Sequence, residues 1–284
     1  MRIFISADMD GITGITHPDQ MFEGRPGYLA GCEAMTADVS AAIEGTLRAE
    51  PAAEFVVADG HSQGRNLFIE KLHESASLVC GPMHESVRPL SQAQGMEGCD
   101  LAFFIGYHAK AGTPGGLLAH TWAGPVIADV RLNGVSVGET GINAAVAGHW
   151  DMPLGLVSGA HDLRPEVEAL ECGTLFAQTK QSYGRTAALC LPAKKSRETI
   201  SRTAQGAVEA MRSGGLRPYK PTLPMVMEVD THRREQADKA CRAKGTERAG
   251  ERTIRVTAES TLQATLTMWE AMCRAQDEPP NWLT

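Results

Sequence analysis

The chain has 284 residues, a formal net charge of −7 and seven cysteines, enough length for one large α/β domain or two unequal ones around a sizeable core. Scattered acidic residues without a clustered basic face exclude a nucleic-acid surface, and no apolar run approaches the roughly 20 residues of a membrane span. Cys32, Cys80, Cys99, Cys172, Cys190, Cys241 and Cys273 never form a CxxC pair, which reads as reduced thiols in a cytoplasmic protein that needs no disulfide to fold. Residues 2 to 8, with the run Ile3-Phe4-Ile5, make the first strand, and it ends on Asp8-Met9-Asp10-Gly11. An aspartate this early leaves no room for a signal-peptide apolar region. Alternate side chains of a strand share a face, so Asp8 and Asp10 can point into one cleft if the strand continues that far, while Gly11 lets the backbone turn away. Two carboxylates so close repel unless a cation lies between them, which argues for a metal; the competing reading is a plain Asp-Gly turn. Tyr28 to Ala49 is a long helix ending before Pro51. The second strand, Phe55 to Ala58, delivers Asp59 and His61; the third, Leu101 to Ile105, is apolar throughout, hence buried on both faces, and delivers Gly106-Tyr107-His108. Ligands of open α/β sheets bind beyond the carboxyl ends of strands, so these deliveries argue for one shared site.

Pro125 to Leu132, Asn133-Gly134 and Val135 to Val137 form a hairpin with a type I′ turn, and Glu139 then heads an Ala- and Gly-rich helix reaching Trp150. Leu154 to Gly159 is a further buried strand leading to His161-Asp162, for which a structural role is expected. A helix near Ala193 to Met211, strands at Met225 to Val229 and Thr253 to Val256, and a last helix opened by Ser260 and Gln263 follow. The basic stretch from His232 to Lys244 is broken by Glu235 and Asp238 and reads as a solvated helix face. The pattern predicts an α/β fold: a largely parallel sheet flanked by helices, with a smaller C-terminal α+β portion. Residues 1–185 are expected to form a metal-binding catalytic domain, and 186–284 an α+β portion serving oligomerisation or a substrate channel.

Asp8, Asp10, His61, His108 and Glu139 supply three carboxylates and two imidazoles, a mixture that suits zinc or a similar divalent ion. Five ligands exceed what one structural zinc needs; two ions sharing Asp8 would use them all and keep positions open for water, as in two-metal hydrolases. Taken singly, each histidine has a surface or core alternative. Asn143, one turn after Glu139, can orient a ligand or cap local backbone, and Lys180 and Arg185 read as surface groups or as holders of a carboxylate of substrate or a neighbouring subunit.

The segments Ser6-Ala7-Asp8-Met9-Asp10-Gly11, Asp59-Gly60-His61-Ser62, Gly106-Tyr107-His108, Ala119-His120-Thr121 and Val137-Gly138-Glu139-Thr140-Gly141-Ile142-Asn143-Ala144 resemble the zinc D-aminopeptidases of the DppA type. The resemblance covers essentially the whole chain. It implies that Asp8, Asp10, His61, His108 and Glu139 bind a pair of zinc ions with Asp8 bridging, and that His120 is a catalytic histidine outside the ligand set. The family commonly has glutamate where this chain has Asp10, one methylene shorter. The implied activity is release of N-terminal residues, D-amino acids, from short peptides or aminoacyl amides, with the substrate's free α-amine anchored by a metal or a carboxylate. The implied assembly is a homo-oligomer, a ring of ten subunits in two stacked pentamers enclosing the sites, and Trp122, Trp150 and Trp282 are candidates for burial between subunits. Two alternatives stay open: a two-metal amidohydrolase acting on a small non-peptide amide, and a non-catalytic, metal-dependent small-molecule binding protein. A Rossmann nucleotide fold is disfavoured, because Asp-Met-Asp-Gly stands where a Gly-rich turn would be required and would repel a diphosphate.

Overall fold

The structure, a computed structural model, describes residues 1–276; Trp282 lies outside the described residues. Along the chain the elements are β1 (Arg2–Ala7), α1 (Tyr28–Ala49), β2 (Glu54–Asp59), β3 (Ala76–Val79), β4 (Leu101–Tyr107), β5 (Ile127–Leu132), β6 (Val135–Ser136), α2 (Glu139–His149) and β7 (Leu154–Ala160). They continue with α3 (Arg164–Glu168), β8 (Leu175–Gly184), β9 (Ala187–Cys190), α4 (Ala193–Arg212), β10 (Met225–Thr231), α5 (Arg234–Ala240), β11 (Glu247–Arg248), β12 (Thr253–Ala258) and α6 (Thr261–Gln276).

A seven-stranded sheet runs in the order β3-β2-β1-β4-β7-β8-β9, parallel except for the antiparallel edge strand β9. Every residue of β4 is buried, as a continuous apolar run predicts for a strand covered on both faces. On one face Ile3, Ile5, Phe103 and Ile105 pack against α1 and α4; on the other Phe4, Phe104 and Val157 join residues of α2 and α3. A second, antiparallel sheet has the order β11-β12-β10-β5-β6. Strand β10 alternates buried and half-buried residues, with Met225, Met227 and Val229 turned into the core shared with α5 and α6. Glu228 and Asp230 instead pair with Arg131 of β5 and Arg255 or Thr253 of β12.

Helix α2 lies between the two layers and is buried from Glu139 to Gly148, which accounts for its Ala- and Gly-rich composition. The hairpin turn has Asn133 at φ 49° and Gly134 at φ 82°, the two positive values a type I′ turn requires.

A division at residue 185 does not follow the layers. Strands β5 and β6, before that point, belong to the second sheet, and α4, after it, packs on α1 of the first. The Asn-Gly hairpin pairs with β10 because its apolar residues Val130 and Leu132 complete that sheet's core. Elements β3, α3, β8, β9 and β11 were not foreseen from the sequence. Helix α5 falls within the basic stretch read as a solvated helix face, and its Ala237 and Ala240 are buried beneath the charged residues.

Candidate metal centre

Strands β2, β1 and β4 are neighbours in parallel register, so their carboxyl ends open at one level. Asp8 and Asp10 follow β1, His61 follows β2, and His108 follows β4. Two glycines allow the loops to meet there. The loop after β1 donates Gly11 N–H to the Gly106 carbonyl at 2.7 Å, and a Cβ on Gly11 would stand 1.9 Å from the Tyr107 carbonyl oxygen. Gly106, at φ 77°, would place a Cβ 2.2 Å from the Asp8 carbonyl oxygen. Glu139 enters from between the two layers as the first residue of α2, where the helix N-terminus favours a carboxylate.

These side chains converge. His61 Nδ1 lies 3.0 Å from Asp8 Oδ1 and 3.1 Å from Asp10 Oδ2; His108 Nε2 lies 3.3 Å from Asp8 Oδ2 and 3.4 Å from Glu139 Oε1. Three groups have ligand atoms within 4.8 Å of one another: Asp8, Asp10 and His61; Asp8, His108 and Glu139; and Asp10, His108 and His120. Asp8, Asp10, His61, His108 and Glu139 are all buried. Asp8 Oδ2, Asp10 Oδ2 and His108 Nε2 are buried without any hydrogen-bond partner. Leaving such atoms in the interior without a hydrogen bond costs several kcal/mol per group, and a divalent cation satisfies them together. The donor set, imidazole nitrogen with carboxylate oxygen, fits zinc.

The histidine ring orientations agree. His61 donates Nε2–H to the Met21 carbonyl at 3.1 Å, and His108 donates Nδ1–H to the Ala109 carbonyl at 3.0 Å. Each backbone bond holds a proton on the outer nitrogen and turns the other nitrogen toward the carboxylates, the orientation that metal-binding imidazoles require. His120 donates Nδ1–H to the Leu118 carbonyl at 2.9 Å and stacks on His108, ring centroids 4.1 Å apart and planes 7° from parallel. Its Nε2 stands 3.9 Å from Glu139 Oε1, and its side chain keeps 27 % exposure. The five expected ligands and His120 thus share one cleft, with His120 at its open side.

Without a cation the buried charges of the cluster act on one another. Burial alone would raise Asp8, but the adjacent His108 and His61 imidazoles hold its carboxyl below the usual range. Burial likewise raises Glu139, yet the facing His108 charge prevails and brings it to about 2. Burial lowers His61, whereas Asp10 and Asp8 drive it up to about 10; His108, beside Glu139 and Asp8, is also raised despite its burial.

A buried polar network, invisible in the sequence pattern, supports Glu139. Gln92 donates Nε2–H to Glu139 Oε2 at 2.5 Å and accepts from Asn143 Nδ2 at 2.8 Å. Asn143 also donates to the Tyr107 hydroxyl, which donates to Ser6 Oγ, which in turn donates to the Gln92 carbonyl. The other Glu139 oxygen accepts Trp122 N–H at 2.6 Å. Asn143 therefore orients the carboxylate through Gln92 rather than directly. Asp59 is not in the cleft; it accepts from the backbone of Asn66 and Leu67 and fixes the loop behind His61.

Lys180 corrects its sequence reading. It is fully buried, and its Nζ donates to the carbonyls of Asp10, Ile12 and Ile15 at 2.9, 2.8 and 2.5 Å, pinning the loop that presents Asp10. Burial pushes its pKa down to about 8. His161 and Asp162 play the structural part expected: His161 Nδ1 accepts Ser182 N–H, and Asp162 Oδ2 accepts from Leu117 N–H and Ser182 Oγ–H. Trp122 meets Trp269 edge-on at 5.3 Å and Trp150 packs in the core beside α2, so both have partners within the chain.

Above the cluster lies a cavity of about 490 Å³ between the two layers, walled by Met21, Phe22, Met83, Trp122 and Trp269. This is the size and apolar character of a small-molecule site.

The same architecture is found in known proteins. A solved structure described as the Zn-dependent D-aminopeptidase DppA from Bacillus subtilis, a self-compartmentalizing protease, superposes with a TM-score of 0.90 at 30% identity, covering 98% of each chain. The D-aminopeptidase of Bacillus subtilis (strain 168) is 34% identical over 272 residues, 93% of this chain and 94% of that protein. The model of the M55 peptidase family, described as D-aminopeptidase, matches residues 1–270. With sequence, fold and the buried His-carboxylate cluster in agreement along nearly its whole length, this chain belongs to the M55 family of D-aminopeptidases.

Proposed function

We propose that the protein is a zinc-dependent D-aminopeptidase that removes N-terminal residues from short peptides or aminoacyl amides, with two ions per subunit held by Asp8, Asp10, His61, His108 and Glu139. The observation that carries the reading is the pair of ligand groups, Asp8–Asp10–His61 and Asp8–His108–Glu139, that share Asp8 and leave three buried donor atoms without hydrogen-bond partners. Bound divalent ions supply acidification of a coordinated water toward neutral pH and polarisation of the scissile carbonyl.

The protein's own residues do the rest. Glu139 is held by Gln92 and the Trp122 amide, so its carboxylate is oriented before substrate arrives. His120, with Nδ1–H tied to Leu118, offers Nε2 at the open side of the cleft. In its neutral form Nε2 accepts a proton as a general base; protonated, it donates to the departing amine or to the oxyanion that develops on the former carbonyl. The apolar walls exclude water and receive substrate side chains. Likeness to a self-compartmentalizing protease supports assembly with further copies of the chain, which we take to be a ring of ten that limits access to short peptides.

The test is release of D-alanine from D-alanyl-D-alanine by purified protein loaded with zinc, against L-alanyl-L-alanine and a chelator-treated control. Turnover of the D-dipeptide that is lost on chelation and restored by zinc is expected. A zinc-loaded, folded protein that cleaves no aminoacyl substrate contradicts the proposal.

A further inference from the structure

We infer that Arg185 is the anchor for the substrate's C-terminal carboxylate, making the enzyme selective for short peptides with a free carboxylate over their amides; this rests on the aminopeptidase reading above. Arg185 is the only lysine or arginine among the described residues that line the cavity. Among the described residues no carboxylate pairs with it, although most of the arginines around the second sheet are in ion pairs. Its one side-chain bond runs from Nη2 to the Ala119 carbonyl at 3.1 Å. A guanidinium has five N–H donors in a planar fork, so most of its capacity is left for a ligand, and a carboxylate is the shape it matches best.

Placement supports the assignment. Arg185 is the first of the two residues that turn β8 into β9, between the paired Gly184 and Ala187. This hairpin is bound to the loop carrying His120: Leu118 N–H donates to the Arg185 carbonyl at 3.0 Å, and Asp162 Oδ2 bridges Leu117 N–H at 2.6 Å and Ser182 Oγ–H at 2.7 Å. The backbone of Arg185 is thereby held beside the His120 loop, and the bond to the Ala119 carbonyl places its guanidinium next to the residue that precedes His120. An aminopeptidase substrate places its α-amine and scissile bond at the acidic cluster. A dipeptide or tripeptide then ends only one or two residues further on, each spanning at most about 3.6 Å, within the cavity that Arg185 lines. Longer chains carry no carboxylate at that point, and amides carry no charge there.

The experiment compares kcat and KM of the zinc-loaded enzyme on D-alanyl-D-alanine and on D-alanyl-D-alaninamide, for the parent, Arg185→Gln and Arg185→Lys. Glutamine keeps a donor for the Ala119 carbonyl but has no charge. The parent is expected to favour the acid, through KM rather than kcat. In Arg185→Gln the acid-over-amide ratio of kcat/KM should fall roughly 10–100-fold, as for loss of a hydrogen bond to a charged group, and Arg185→Lys should recover part of it. Equal kcat/KM for acid and amide in the parent overturns the anchor while leaving the peptidase reading intact. Acid and amide activities that fall together in Arg185→Gln also overturn it, since Arg185 would then serve only to hold the His120 loop. A parent that cleaves neither substrate overturns the aminopeptidase reading, and the anchor with it.

Discussion

Replacing Gln92 by methionine tests whether the centre depends on the network behind it. The residue is 4 % exposed, and methionine keeps nearly the same length and volume, so packing is conserved. What disappears is the Nε2–H bond to Glu139 Oε2 at 2.5 Å, the longer one to the Gly60 carbonyl at 3.4 Å and the acceptor for Asn143 Nδ2 at 2.8 Å. A hydrogen bond to a charged group contributes about 1.5–3 kcal/mol and a neutral one about 1 kcal/mol. Asn143 retains the Tyr107 hydroxyl and Glu139 retains the Trp122 amide, which limits the loss, so the metal-free protein should be destabilised by about 2–4 kcal/mol. Zinc affinity should fall about 10–100-fold, the usual effect of removing a group that orients a ligand. Urea unfolding of chelator-treated protein and competition titration with a zinc indicator measure the two quantities. If Gln92→Met binds zinc as tightly as the parent and unfolds within about 0.5 kcal/mol of it, the network does not hold Glu139 and the reasoning fails.

His120→Ala should lower kcat roughly 10²–10⁴-fold while zinc per subunit, measured by plasma emission on the same sample, stays at the parent value; an emptied site would make His120 a ligand instead. Zinc loading should release protons, because His61 in the metal-free site titrates near 10 and His108 is also raised. Zinc affinity should therefore increase with pH up to about 10, and calorimetry in buffers of different ionisation enthalpy should show the release. In the metal-free protein the sign is opposite. Imidazoles raised above their ordinary value contribute stability that is complete below about pH 6.5 and lost as pH rises toward 10, so chelated protein should melt lower at pH 9 than at pH 6. Lys180→Met leaves the carbonyls of Asp10, Ile12 and Ile15 without their shared donor, which should cost about 2–4 kcal/mol in urea unfolding; unchanged stability would show that the β1 loop holds itself.

The residues of the cleft were legible because strand ends announce themselves. Ile3-Phe4-Ile5, Phe55 to Ala58 and Leu101 to Ile105 are apolar runs after which Asp8, His61 and His108 each follow three residues on, and adjacent parallel strands bring such ends to one level. Glu139 was readable for a similar reason, standing at the head of a helix after a clear hairpin. Gln92, Tyr107 and Ser6 carry no such signal. They are neutral polar residues whose partners lie 86 and 101 positions away in sequence, and only tertiary packing decides that they meet. The β8 strand was hidden by Gln178-Thr179-Lys180-Gln181-Ser182, a polar string that reads as loop; Lys180 is buried there because three carbonyls of the β1 loop solvate its ammonium. The layer boundary escaped for a topological reason, since a local hairpin such as β5–β6 shows its own turn chemistry but not the sheet it will join.

Anomalous diffraction at the zinc edge from zinc-loaded crystals tests the central claim most directly. Two peaks are predicted within coordination distance of Asp8, one shared with Asp10 and His61 and the other with His108 and Glu139, about 3.5–4 Å apart. A well-ordered cleft without anomalous density, in crystals of protein that binds zinc elsewhere, would contradict the account.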